Sequence, residues 1–163
     1  MVAPNTIEEI SAERIWKLVE EIPDPEIPVL SITDLGIVRN VVVDNGLVTI
    51  EITPTYSGCP AMDMIAAQIK MNLAFNNIRN FTVKTILSPA WTTDWMTEAG
   101  KRKLEEYGIA APNPSQGKED SPKECPHCHS TRTSLLSQFG STACKALYQC
   151  DECKEPFDYF KCH

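Results

Sequence analysis

The chain is predicted to fold as an α+β protein: a small N-terminal domain running helix, strand hairpin, helix, strand, helix, followed by a C-terminal four-cysteine ribbon module. Three observations carry that expectation. Apolar residues recur at helical spacing in some stretches and alternate in others, and Asp44-Asn45-Gly46 joins two of the alternating runs. Residues 109–123, IAAPNPSQGKEDSPK, are rich in proline and polar side chains without apolar periodicity, as a linker would be. Beyond them Cys125, Cys128, Cys150 and Cys153 form two Cys-x-x-Cys pairs. The expected division is therefore an α+β domain over 1–108, a linker over 109–123 and a ribbon over 124–163.

Taken in order, Thr6 with Glu9 has the form of a capping box, and Ile7, Ile10, Ile15, Leu18, Val19 and Ile22 follow on one helical face. That helix must end near Ile22, because Pro23, Pro25 and Pro28 remove backbone donors and force the residues before them to be extended. Residues 23–35 then form a rigid loop. Strands are expected over 37–43 and 47–53, where Val48, Ile50 and Ile52 alternate with Thr49, Glu51 and Thr53. Asn45-Gly46 supplies the positive φ angles of a tight hairpin turn. Pro60 opens a helix to about Asn76, with Met62, Ile65, Ile69 and Leu73 on one face. Phe81, Val83, Thr85 and Leu87 alternate as a third strand, and a last helix runs from about Asp94 to Tyr107, stopped by Gly108. In the ribbon, Phe139, Ala146, Leu147, Tyr148, Tyr159 and Phe160 are the expected packing residues.

The 163 residues are enough for one domain or two small ones, and 42% hydrophobic content is ordinary for a globular protein. No apolar run reaches membrane-spanning length, and MVAPNTIEEI lacks a basic start and an apolar signal core, so a cytoplasmic protein without membrane attachment is expected. A reducing compartment favours metal ligands or reactive thiols over disulfides, which suits an odd number of cysteines, seven. The net charge of −7, with no basic face near the cysteines, argues against a nucleic-acid partner.

Two Cys-x-x-Cys turns can direct four thiolates at one ion, which predicts a structural zinc ribbon bound by Cys125, Cys128, Cys150 and Cys153. The spacer of residues 129–149 slightly exceeds the usual length of about 15 to 20 residues. Iron in the same thiolates and a pair of disulfides are the alternatives. A module of this size usually needs such a staple to fold, so metal removal should unfold it.

In the N-terminal domain Cys59 precedes Pro60 and is the expected helix cap. There, free N–H groups and the helix dipole would lower its pKa and ready it as a nucleophile or soft-metal ligand. A small buried cysteine filling space is the alternative, and Asp63 is a like charge that would oppose a thiolate. Asp24, Glu26 and Asp34 put three carboxylates into the proline-stiffened loop, where they could bind a cation or simply form turns. Trp91 and Trp95 are expected to close the core. Cys144, Cys162, His127, His129 and His163 are left without an assigned role.

DPEIPVLSITDLGIV at residues 24–38, followed by TYSGCP at 55–60, resembles the iron-sulfur assembly accessory family, small α+β proteins with a cysteine at the head of a helix. PAWTTDWMTEAGKRKLEEYGIAAP, the CPHC and CDEC pairs, FGSTACKALYQC and EPFDYFKCH extend the likeness to the branch that accompanies phenylacetyl-CoA epoxidase in aerobic phenylacetate catabolism. The resemblance implies a non-catalytic maturation factor whose partners are the oxygenase and reductase subunits of that system. It places the family's cysteine on Cys59 and its acidic motif on Asp24, Glu26 and Asp34, with a transient iron or iron-sulfur cargo. Metal knuckles often carry Gly after the second cysteine; His129 and Lys154 stand there instead, which favours zinc over a rubredoxin-like iron site. A docking protein of the complex without metal transfer is the competing expectation. Direct oxygenation is not expected, because the chain lacks the Glu and Glu-x-x-His helices of a di-iron site. An exposed hairpin edge would also permit a homodimer.

Overall fold

The computed structural model describes residues 9–113 and 121–161. Helix α1 (Ala12–Glu20) starts later than the Thr6 pattern suggests. Ser11 takes the cap: its backbone is extended and its Oγ accepts the Arg14 N–H at 3.2 Å. Glu9 and Ile10 precede the helix, and Thr6 and Ile7 lie outside the described residues. Ile15 and Val19 bury its inner face.

The proline-rich stretch is woven into the core. Pro23 bridges to Ser31, the Asp24 N–H donates to the Leu30 carbonyl at 2.8 Å, and Ile27, Leu30, Ile32 and Leu35 are almost fully buried. Residues between the prolines thus supply the hydrogen bonds that the prolines cannot. Gly36 ends the loop at φ +69, where a Cβ would overlap the Trp95 carbonyl.

Strands β1 (Val38–Asp44) and β2 (Leu47–Ile52) pair antiparallel, from Val38 opposite Ile52 to Asp44 opposite Leu47. Asn45 (φ 46) and Gly46 (φ 79) make the expected tight turn. Helix α2 (Ala61–Phe75) lays Ile65, Ile69 and Leu73 into the core, and β3 (Phe81–Thr85) returns parallel to β2. The first sheet has the order β1-β2-β3, the crossover through α2 being what a parallel pair requires. Leu87 lies past the strand and is exposed.

The single helix expected from Asp94 to Tyr107 is broken in two. A 3-10 turn over Thr93–Trp95 is followed by extended residues Met96 and Thr97, then α3 (Glu98–Glu106). The Thr97 N–H is held by the Asp34 carbonyl at 2.9 Å, while its Oγ1 caps α3 by accepting the Gly100 N–H at 2.9 Å. A capping hydroxyl pinned by a tertiary contact therefore overrides local helix propensity. Gly108, at φ 87, stops α3 as expected.

The chain passes directly into the second sheet. β4 (Ile109–Ala110) pairs parallel with β7 (Pro156–Phe160), and β5 (Thr133–Ser137) and β6 (Lys145–Cys150) complete the order β4-β7-β6-β5. Ile109 and Ala110, read from sequence as opening the linker, thus belong to the ribbon sheet; residues 114–120 lie outside the described residues. Tyr148 packs 5.7 Å from Tyr159 and 6.1 Å from Phe157, ring centre to ring centre, around Cys125 and Cys150.

Two of the aromatic residues expected in the ribbon core are elsewhere. Phe139 is exposed, with the Lys161 ammonium 4.5 Å above its ring. Phe160 turns toward the N-terminal domain, edge-on to Trp91 at 6.0 Å, and joins the larger core together with Cys144. Trp91 itself is buried, and its indole N–H donates to the Leu35 carbonyl at 2.8 Å, in line with a core role. The two modules therefore meet across a packed seam. Among the described residues no helix is long and apolar enough to cross a membrane.

Candidate metal centres

Each Cys-x-x-Cys pair closes a tight knuckle. The Cys125 N–H donates to the Ser130 carbonyl at 2.8 Å and the His129 N–H returns to the Cys125 carbonyl at 2.9 Å. Lys154 to Cys150 (3.1 Å) and Cys150 to Glu155 (3.0 Å) repeat the pattern. His129 (φ 61) and Lys154 (φ 63) adopt the left-handed backbone that glycine fills more easily, so the knuckle geometry survives without glycine.

The four sulfurs lie within 4.8 Å of one another, with Cys125 to Cys153 at 3.9 Å and Cys128 to Cys150 at 3.5 Å. A tetrahedral ion with bonds of about 2.3 Å to sulfur would space its ligands about 3.8 Å apart, so the donor set fits zinc. Although burial opposes it, N–H groups of Cys153 and Glu152 pull the Cys150 thiol down to about 7. Four protein ligands leave no open position, so zinc held here would staple the fold and carry no reaction. His129 is engaged by Glu124 at 3.1 Å on the surface. Among the described residues no other group of His, Cys, Asp and Glu draws three ligand atoms this close together; Cys162 and His163 lie outside the described residues.

Cys59 belongs to the N-terminal domain and to a different environment. It ends the TYSGCP turn, its N–H reaching the Tyr56 carbonyl at 3.3 Å, with Gly58 at φ 79. Pro60, not Cys59, occupies the cap of α2. The half-buried sulfur is met by the Ala61 N–H and by the Tyr56 hydroxyl. The expectation of a lowered pKa is corrected: burial pushes the Cys59 thiol up, and the Glu26 and Asp24 charges add to it, outweighing the help of Ala61 and Tyr56. Tyr56 is itself pushed up to about 12, by burial first and then by Cys59 and Glu26. The Cys59 thiol thus holds its proton more tightly than a free cysteine does.

The three loop carboxylates have separate tasks. Asp24 Oδ1 accepts the N–H groups of Glu26 (2.9 Å) and Ile27 (2.8 Å), which shapes the turn that presents Glu26. Burial raises the Asp24 pKa against those two bonds and the charge of Lys145. Glu26 Oε2 lies 3.7 Å from the Cys144 sulfur.

Asp34 ties the loop to α3: Oδ2 accepts from Lys103 Nζ at 2.6 Å and from the Ser31 N–H at 3.1 Å, and Oδ1 from Thr97 Oγ1 at 3.1 Å. Its oxygens are therefore committed to structural partners. Burial alone would raise its pKa, but Lys103, Ser31 and Thr97 together hold it below the ordinary value. For a carboxylate depressed by folding, the stabilisation is complete above the unfolded pKa of about 4 and is lost as pH falls through the lower folded value. Asp34→Asn should cost about 1 to 2 kcal/mol near neutrality, modest because Lys103 is half-exposed. The gap in melting temperature from wild type should narrow as pH falls below about 4.

Sequence reasoning left Cys144 and Tyr56 without roles. Tyr56 stands three residues before Cys59, a spacing that a turn brings together. Cys144 carries no ligand spacing to any other cysteine, so only the packing of the ribbon against the proline loop reveals its place beside Glu26.

Comparison with known proteins agrees with this geometry. The family model described as iron-sulfur cluster assembly protein matches residues 12–80, and the PaaD zinc beta ribbon domain matches residues 110–161. An Escherichia coli (strain K12) protein, provisionally named as one of the subunits of 1,2-phenylacetyl-CoA epoxidase, is 52% identical over 163 residues, covering 99% of this chain and 96% of that protein. An Fe-S protein maturation auxiliary factor of Porphyromonas gingivalis is 33% identical over 94 residues, 56% of this chain and 89% of its own length. The crystal structure of a domain of unknown function, DUF59, from Bacillus anthracis superposes with a TM-score of 0.54 at 28% identity, covering 57% of this chain and 90% of that one.

Proposed function

The chain belongs to the PaaD family of phenylacetyl-CoA epoxidase proteins, here an iron-sulfur cluster assembly domain joined to a zinc β-ribbon, and on that premise we propose that it is a non-catalytic maturation factor for the epoxidase. Its task, in the cytoplasm, is to help assemble or maintain a metal or iron-sulfur centre in the oxygenase or reductase of that system, which carries out ring 1,2-epoxidation in aerobic phenylacetate catabolism. The supporting observation is the half-buried thiol of Cys59 under the charges of Glu26 and Asp24. A soft sulfur beside hard oxygens suits iron, which accepts both, and a thiol that ionises only on metal binding releases its cargo readily on reprotonation. The ribbon, fixed by its own metal, stays folded while cargo comes and goes.

A strain carrying Cys59→Ala should accumulate the epoxidase proteins with under a tenth of the normal metal loading and activity. Fully loaded, fully active epoxidase in that strain would end the maturation reading. The second reading, a docking protein without metal transfer, draws on Met64, Met71 and Phe75, exposed together along α2. Stoichiometric co-purification with the oxygenase that survives Cys59→Ala, alongside normal loading, would favour it.

A further inference from the structure

Among the described residues one long strand edge carries neither charge nor proline. β5 is the outer strand of the ribbon sheet, and its Leu135 and Leu136 are exposed, as is Phe139 just beyond it. Residues 133–144 contain no charged side chain, in a chain that is 23% charged. The other edges are guarded: β1 carries Arg39 and Asp44, β3 carries Lys84, and β4 is a short buried pair. Such charges and short edges are what keeps a strand from pairing with another chain. The Arg132 carbonyl accepts the Asp151 N–H at 2.9 Å, so Arg132 turns its backbone toward β6. Thr133 stands opposite Cys150 and Leu135 opposite Tyr148, and alternation along this register turns the N–H and C=O groups of Thr133 and Leu135 outward. A bulge between Leu135 and Ser137 ends the regular run.

Charge selects the occupant. At a net charge of −7, two copies of the chain repel where their acidic surfaces meet, and the β5 stretch is a place where they can touch without that cost. Its two ends also differ in sign. Asp151 and Glu152 lie with Arg132 at the start of β5, the Arg132 guanidinium being ion-paired with Glu152, which leaves that end net negative. Lys161 lies at the other end, its Nζ donating to the Gln138 carbonyl at 2.7 Å. Antiparallel pairing of two β5 strands sets the Lys161 end of each copy against the acidic end of the other. The edge is thus complementary to itself, as a two-fold interface demands.

We propose that the protein forms a two-fold homodimer through β5, with Thr133 of each copy opposite Leu135 of the other. Each such pair exchanges both of its N–H···O=C bonds, Ser134 faces its own counterpart at the axis, and the two ribbon sheets become one. β4, short and buried at the far edge, offers no second place to add a strand, so the assembly closes at two copies. The inference stands apart from the maturation reading, since it involves neither Cys59 nor a cargo.

Sedimentation equilibrium and amide hydrogen exchange on the full-length, reduced, zinc-loaded chain test it. A reversible dimer should form in the high micromolar range. The Thr133 and Leu135 amides, open to water in the monomer, should exchange at least about tenfold more slowly as the dimer fills. Thr133→Pro removes an outward donor while sparing the bonds to β6, and it acts twice in the dimer, so the dissociation constant should rise at least about tenfold. Phe75→Lys, on the exposed face of α2, should leave it unchanged. If Thr133→Pro does not fold, as zinc content and circular dichroism report, Leu136→Lys decides at the same edge by adding the charge it lacks. Wild type that stays monomeric throughout overturns the inference. So does a dimer that survives the edge variants, or one in which the Thr133 and Leu135 amides keep the monomer's exchange rate. A dimer lost in Phe75→Lys but kept in the edge variants belongs to α2 and overturns it as well.

Discussion

Stripping metal from the four-cysteine site with a strong chelator is expected to unfold the ribbon and to release one zinc ion per chain. The expected effect is the largest in the molecule, because structural zinc sites contribute roughly 10 to 16 kcal/mol of binding free energy that is also folding free energy. The module has little to replace it. Its own core is Ala110, Ala146, Tyr148, Phe157 and Tyr159 around Cys125 and Cys150, too small to hold four strands unaided. Loss of the ribbon also withdraws Phe160 from Trp91, so tryptophan fluorescence should change with the ribbon's circular dichroism and the N-terminal domain should melt at a lower temperature. Cys150→Ser should reproduce the effect, and added zinc should reverse chelation in the wild type. A ribbon that stays folded after complete metal removal, or thiol titration showing two disulfides, would remove zinc from the account.

Gly36→Ala is the most damaging single substitution expected in the N-terminal domain, at about 3 to 5 kcal/mol. Two costs coincide. At φ +69 an L side chain is strained, and the new Cβ would overlap the Trp95 carbonyl, backbone that cannot rotate away as a side chain would. Beside it, the Leu35 carbonyl receives the Trp91 indole at 2.8 Å and the Asp34 carbonyl receives the Thr97 N–H at 2.9 Å, so separating the two backbones loosens both joints. Denaturant unfolding should show a lower midpoint with an unchanged slope. A shift under about 1 kcal/mol would mean that the Trp95 turn can move aside. Gly46, whose Cβ would meet nothing within 4 Å, is the control: Gly46→Ala carries the φ penalty alone.

What could be read from sequence followed how local the determining interaction is. The clustering of the four ribbon cysteines was legible because Cys125-x-x-Cys128 and Cys150-x-x-Cys153 each make their own knuckle, and the hairpin was legible because Asn45-Gly46 encodes its own turn. The position of Cys59 at the head of α2 was legible through Pro60. Its pKa was not, since Glu26, Asp24 and the burial that raise it arrive from a distant loop. Asp34 illustrates the same limit: its motif marks it as one of three similar carboxylates, but Lys103 and Thr97, far along the chain, decide its work. The break before α3 was hidden for that reason too, its cause being the Asp34 carbonyl on Thr97. Cys144 was the hardest to place, because nothing near it in the chain records that Glu26 will be its neighbour.

The parallel pairing of β4 with β7 sets the order in which the protein can be completed on the ribosome. Ile109 and Ala110 emerge immediately after α3, but their partners Asp158 and Tyr159 follow only after β5 and β6. Throughout synthesis of the intervening chain β4 has no neighbour to pair with, and Trp91 lacks the ring of Phe160. The nascent N-terminal domain thus waits with an open strand edge and an uncovered aromatic face, the features that invite wrong partners before a chain is finished. The arrival of β7 and the capture of metal by the ribbon close this edge together, and cells short of zinc should show their deficit as aggregated new chains before any older protein fails.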